Sequence, residues 1–321
     1  MKTRIKYMDI AKGIGIICVL LGHTYANEVC MLVNTFHMPL FFIISGFFFV
    51  PKEKMEIKNC LKLLIPYCIT IAAFVLFSLL KREYGNATLW IRGGVYGSGY
   101  EYETPFFIKG VGGIWFLLAM LWVKSIANKI FKFDEKYWML LAILTTYVGV
   151  KTYHCFVFPW SVQCGMTASL FFVLGYYLRK DDLLKHLNFL VSVIFFIIWF
   201  YCYKYYGTLT MANCNIPNIM TVIGALCGSA VILYVSKIFE RVFWVNNVLE
   251  YIGKMTLIIL CVHIFELHTN ILADIQNLLY KKTYNLFHIF FLRCIFDIGV
   301  ASIIKKLITL VEGKQLNGNH T

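Results

Sequence analysis

The chain has 321 residues, 60% of them hydrophobic and 15% charged, with a mean hydropathy of +0.70. That balance excludes a soluble globular enzyme and defines an all-α polytopic membrane helical bundle. A net charge of +13 would suit nucleic acid, but the lysines and arginines collect between apolar runs, so no nucleic-acid partner is expected.

A helix needs roughly 20 mainly apolar residues to cross a bilayer. About ten spans are predicted, at 10–29, 34–50, 63–80, 111–128, 137–153, 160–178, 187–205, 217–236, 253–274 and 285–304. The opening MKTRIK followed by an apolar run mimics a signal peptide. Lys12 interrupts that run and no A-x-A site follows, so a retained first span is expected. Basic residues concentrate at Lys2–Lys12, Lys52–Lys62, Lys124–Lys136, Arg179–Lys185, Lys237–Lys254 and Lys305–Lys314, which alternate with lysine-poor loops. This bias predicts an N-in, C-in chain with an even number of spans. Six prolines and no Ser/Pro/Gly-rich tract leave no linker, so residues 1–321 read as a single integral-membrane domain.

In the first span, Ala11, Gly15, Cys18, Gly22 and Ala26 form one narrow stripe of small residues, a surface for close helix packing. Lys12 and His23 share another face, with Asp9 and Asn27 near it. At 1.5 Å per residue His23 lies roughly 16 Å beyond Lys12, deep in the bilayer. Taken alone, Lys12 reads as a snorkelling lysine and His23 as a histidine bonded to a neighbouring helix. In the second span Asn34, His37 and Ser45 fall within an arc of about 80° on a helical wheel. Pro39 is expected to kink that helix and free a carbonyl. The lysine-rich loop after it, with Lys58 and Lys62, either sets orientation toward anionic lipid or binds a polyphosphate.

Residues 81–110 read as the longest outer loop, rich in Gly and Tyr, suited to sugar faces or to an interfacial belt. "NAT" at 86–88 is a bare sequon. The ninth span sets His263, Glu266, Asn270 and Asp274 along one arc, a polar ladder that should face the bundle interior or a water-filled cavity. In the tenth, Arg293 and Asp297 are four apart and read as an intrahelical ion pair. The eleven cysteines mostly sit in apolar runs with no CxxC or Cys/His ligand spacing; they read as small buried hydrophobes, and no metal is expected.

Several segments resemble the acyltransferase-3 family of integral-membrane acyltransferases, in particular its fucose-4-O-acetylase-like branch. They are "DIAKGIGIICVLLGH" (9–23), "FHMPLFFIISGF" (36–47), the basic loop into "KLLIPY" (62–67), "GGIWFL" (112–117) and "CVH" (261–263). The resemblance is specific in the first 70 residues or so, above all in the Lys12-x10-His23 arrangement, and matches the rest of the chain in its ten-span layout. It implies transfer of an acetyl group from acetyl-CoA to a hydroxyl of a cell-envelope sugar or lipid-linked glycan, in a bacterial cytoplasmic (inner) membrane. It maps the catalytic base to His23 and the CoA side to Lys58 and Lys62; where the family carries R-x-x-R, this chain has Asn59 and Lys62. Histidine suits removal of a hydroxyl proton, and Ser45, Asn34 or His37 could donate to the oxyanion. Lys12 would mark the donor entrance, and Trp115, His263 and Glu266 complete the expected binding residues. Besides acetyl-CoA, the glycan and membrane lipid, no other partner is expected. Two readings compete: a secondary transporter or flippase for a sugar or glycolipid, which ten spans and a polar ladder also fit, and a non-catalytic scaffold, which leaves the Lys12–His23 spacing without purpose.

Overall fold

A computed structural model describes residues 5–24, 28–52, 56–103, 106–283 and 286–318, with backbone alone at 282–283 and 312–318. The helices, in chain order, are α1 (Lys6–Thr24), α2 (Glu28–Asn34), α3 (His37–Phe47), α4 (Ile57–Leu80), α5 (Tyr84–Tyr96), α6 (Trp115–Ile130), α7 (Trp138–Tyr153) and α8 (Val162–Thr167). They continue with α9 (Ser169–Lys180), α10 (Phe189–Tyr206), α11 (Ile219–Phe239), α12 (Phe243–Gly253), α13 (Thr256–Thr269), α14 (Ala273–Thr283) and α15 (Leu286–Gly318). Among the described residues, seven helical spans are long and apolar enough to cross a membrane, α2 and α3 counting as one. The number is nine if the bent pairs α8–α9 (52°) and α12–α13 (69°) are each a single span. The protein is a polytopic helical membrane protein, with seven to nine such spans rather than ten.

The shortfall is α7, whose 16 residues cover only about 24 Å against a hydrocarbon core of about 30 Å. Its ends nevertheless meet opposite ends of the bundle. Near its start, Glu135 pairs with Lys180 at the end of α9. Near its finish, Thr152 accepts from Gln163, and Tyr96 at the end of α5 donates to the Val157 carbonyl. Lys12, Lys52, Lys124 and Asn128 gather at the first of these ends, called here the lysine end.

Local chemistry sets the breaks. Pro39 has no N–H and its ring excludes the carbonyl four residues back, so the second span parts at Thr35–Phe36 between α2 and α3. Side chains satisfy the break. Thr35 Oγ1 donates to Leu32 O at 2.6 Å and accepts from Trp199 Nε1 at 2.7 Å, and His37 Nδ1 lies 2.7 Å from Val33 O. Residues 81–110 are not one loop. Gly97, at φ +74°, closes helix α5, which buries Ala87 and Trp90 and stacks Trp90 on Phe74 with ring centroids 4.1 Å apart. Asn86 of the sequon accepts from Lys109 at 3.0 Å.

The small stripe of α1 packs as expected. Ala11 is fully buried, Gly15 lies under Phe41 and Leu40, and Gly22 lies against Val33; Ala26 falls outside the described residues. The closest helix approaches lie off that stripe: α1 crosses α12 where a Cβ on Gly13 would meet the Leu249 carbonyl and one on Gly253 that of Asp9, and α3 crosses α9 as closely. A Cβ on Gly46 would collide with the Phe172 carbonyl, and one on Gly175 with that of Ile43. Backbone is the obstacle in both cases, so no rotamer change relieves it. Gly46→Val should therefore cost about 1–3 kcal/mol or more. The check is a lower melting temperature in detergent, with Gly85→Val, which meets nothing, as control.

Candidate active site

A cavity of about 400 Å³ opens between α1, α2, α3, α6 and α13, away from the lysine end. The last turn of α1 presents His23 to it, and the α2–α3 break presents Asn34 and His37. Trp115 comes from the start of α6, Tyr100 from the segment after α5, and Thr210–Ala212 from the connection between α10 and α11. Four residues named from sequence thus meet in one space: His23, Asn34, His37 and Trp115.

A carbonyl only accepts, so the short contact to Val33 O assigns the proton of neutral His37 to Nδ1 and leaves Nε2 as a lone pair. In that state His37 can accept from a ligand hydroxyl but cannot donate to an oxyanion. Asn34 can. Its amide nitrogen donates one hydrogen to Cys30 Sγ at 3.3 Å and has a second to offer. Gly112 and Gly113 begin the helical run into α6 and also line the cavity. The first N–H groups of a helix have no intrahelical acceptor and carry a positive partial charge. Sequence reasoning missed this pair as donors, although the Gly-Gly before an apolar run was its signal.

Behind His23 lies a buried cluster on α13 and α15. The His263 ring tilts against that of His23, with centroids 5.2 Å apart. His263 Nδ1 is 2.9 Å from Asp297 Oδ2, and both residues are fully buried. Arg293 pairs with Glu266 at 2.9 Å and donates to the His23 carbonyl and to Thr24 Oγ1, each at 3.0 Å. Gln276 completes the shell on Glu266 at 3.0 Å. The expected intrahelical pair is therefore exchanged for two interhelical ones. Glu266 and His263 face α15 from α13, and each satisfies one of its charges. The expected ladder on the ninth span is also cut short. Asn270 takes the left-handed conformation (φ 51°) that ends α13, and Asp274 lies exposed in α14.

His263, Glu266 and Asp297 hold their ligand atoms within 4.8 Å of one another, a spacing a metal ion could use. The Arg293 guanidinium on Glu266 already supplies positive charge there, which disfavours a second cation.

A second cavity, of about 390 Å³, opens at the lysine end. Lys12, Ser45, Lys52 and Lys124 line it, so Ser45 and His23 belong to different spaces. Lys12 is held by Asp9 at 2.6 Å. Lys52 holds Glu56 at 2.5 Å, and that hydrogen bond, together with its charge, keeps the Glu56 carboxyl below its ordinary range. Lys58 and Lys62 lie exposed on the first turns of α4, outside this lining. The two cavities share three helices. Ile16, Phe41 and Phe116 face the first, and Lys12, Ser45 and Leu121 the second, about one helical turn away on each helix. Phe116 packs on Phe41 and Phe42, with centroids 5.9 and 5.1 Å apart, as the partition between them.

Fold and site together define a polytopic membrane protein whose interior cavity is lined by imidazoles and backed by a buried ion cluster. The chain belongs to the acyltransferase-3 family: residues 5–304 match that family's acyltransferase domain. It is thus a membrane-bound acyltransferase by family. No curated protein and no solved structure matches the chain.

Removing one partner of a buried pair leaves the other charge stranded. Glu266→Gln should cost about 3–5 kcal/mol. Glu266→Gln with Arg293→Met should be less destabilised than the sum of the two single changes, and thermal melts of the four proteins in detergent measure this coupling.

Proposed function

We propose that the protein is an O-acetyltransferase of the bacterial cytoplasmic membrane, moving acetyl from cytoplasmic acetyl-CoA to a hydroxyl of a cell-envelope sugar or lipid-linked glycan. The observation that carries this reading is the pair of cavities stacked along α1, α3 and α6, one lined by lysines and the other by His23. Lysines suit the phosphates of CoA. The basic-residue bias puts that cavity on the cytoplasmic side, where acetyl-CoA is made. The partition at Phe41 and Phe116 is about one helical turn thick, roughly 6 Å, short enough for a pantetheine arm to reach past it. The opposite mouth, with Tyr100, Trp115 and Asn34, offers aromatic faces and an amide to a sugar.

His23 removes the proton of the acceptor hydroxyl as its oxygen attacks the thioester carbon. The oxyanion is received by the Asn34 amide and the N–H groups of Gly112 and Gly113, ahead of α6. On collapse the CoA thiolate leaves toward the lysine end. Neutral His37, through Nε2, accepts a hydrogen bond from the sugar and orients it. Arg293 neutralises Glu266, and the Asp297 carboxylate, behind the His263 ring, gives a nearby counter-charge for the imidazolium that forms on His23. Unlike a serine-protease triad, the carboxylate acts at one remove: Asp297 bonds His263, whose ring packs against His23 without hydrogen-bonding it. The branch that acetylates fucose-like sugars is the expected place of this chain within its family.

His23→Ala should abolish transfer of radiolabel from acetyl-CoA to envelope glycans while membrane expression persists. Full activity in that variant rules out the base assignment. A hydrogen bond to a charged group contributes about 1.5–3 kcal/mol, so Lys52→Gln and Lys124→Gln should each raise the KM for acetyl-CoA roughly tenfold or more. Lys58→Gln and Lys62→Gln should move it less, and a change in acceptor preference alone would contradict the donor side. The broken helices beside the site also suit a transporter. Substrate movement without consumption of acetyl-CoA would favour that reading.

A further inference from the structure

Two of the eleven cysteines do not behave as isolated buried hydrophobes. Cys164 on α8 and Cys214, after the short helical turn Met211–Asn213, bring their sulfurs within 3.7 Å. Both are buried, and Cys164 Sγ also approaches the Ala212 carbonyl at 3.4 Å. Cys214 sits at φ 52°, in the left-handed region that a residue with a Cβ rarely adopts. Such a conformation persists only where the surroundings hold it. Thr210 and Asn215 close the turn by bonding each other twice, at 2.9 Å each way. Thr210, Met211 and Ala212, the residues of this turn, form one wall of the His23 cavity.

The pair lies at the end of the bundle that carries α5 and the Tyr96–Val157 bond, opposite the lysine end. The basic-residue bias puts that end outside the cytoplasm, where disulfides form and persist.

We propose that Cys164 and Cys214 form a disulfide that straps the 209–215 turn to α8 and fixes the cavity wall. Two S–H bonds break and one S–S bond forms. Two protons and two electrons pass to a disulfide oxidant of the outer compartment, which becomes a dithiol. The sulfurs close from 3.7 Å to about 2.05 Å. The bond does not depend on the acyltransferase reading, and its test does not use activity.

Membranes carrying the full-length protein are quenched with N-ethylmaleimide in denaturant, digested without reductant and read by mass spectrometry. The expected result is one cross-linked species joining the Cys164 and Cys214 peptides, both unalkylated until reduction. Maleimide on both residues before reduction overturns the proposal. In Cys164→Ser, Cys214 should become alkylated without reductant; a Cys214 that stays protected there also overturns it. Reductant should lower the melting temperature of the wild type by a few degrees and leave Cys164→Ser/Cys214→Ser unmoved. Equal shifts in the two proteins count against the strap.

Discussion

A guanidinium inside an apolar bundle is tolerated only where its charge and its N–H groups are met. Arg293 meets them on two neighbouring helices, through Glu266 on α13 and through the His23 carbonyl and Thr24 hydroxyl at the end of α1. The end of α1 is where a free carbonyl and a negative partial charge await a cation. The burial that makes Arg293 expensive thus makes it a locating pin for His23. Asp297 one turn along α15 does the same for His263. These buried, paired charges thus fix two of the helices that frame the cavity.

The rest of the site rests on close helix packing. α3 can bring His37 and Phe41 up to α1 because Gly15 and Gly22 leave room for Phe41 and Val33. It can hold that position because Gly46 and Gly175 let α9 press on its other side. The break before Pro39 turns the polar groups of the second span toward side-chain partners, and the His37 tautomer follows from one of those bonds. Three helices then carry both cavities in series, so the lysine-lined space and the imidazole-lined space are kept in register by the same rods.

Much of this was legible in the apolar runs and their periodicity. Most of the spans and much of the packing stripe of α1 follow from the spacing of residue types, whereas Lys12 and His23, read as sharing a face, open on different cavities. Periodicity reports a face but not what shares the space in front of it. Asn34, His37 and Ser45 occupy one arc, yet His37 and Ser45 are eight residues apart, about 12 Å along a helix, and an aromatic partition falls between them. Helix α5 was hidden because its glycines and tyrosines have weak helix propensity and tertiary packing on Phe74 overrides it. The polar ladder on the ninth span was overextended because a single left-handed Asn270 ends the helix.

The sequence by itself determined the class of the protein, since long continuous apolar runs, unlike the short alternating segments of a barrel, satisfy their backbone in a membrane only as helices. It also determined where its ionisable residues lie along each helix. Only the tertiary structure decided the partners: Arg293 with Glu266, His263 with Asp297, Cys164 beside Cys214, and Lys124 rather than Lys62 in the lysine-end cavity. The physical reason is that pairing depends on how helices cross and which face of each meets which. That choice is made by summed packing over the whole bundle and is written in no single stretch of the chain.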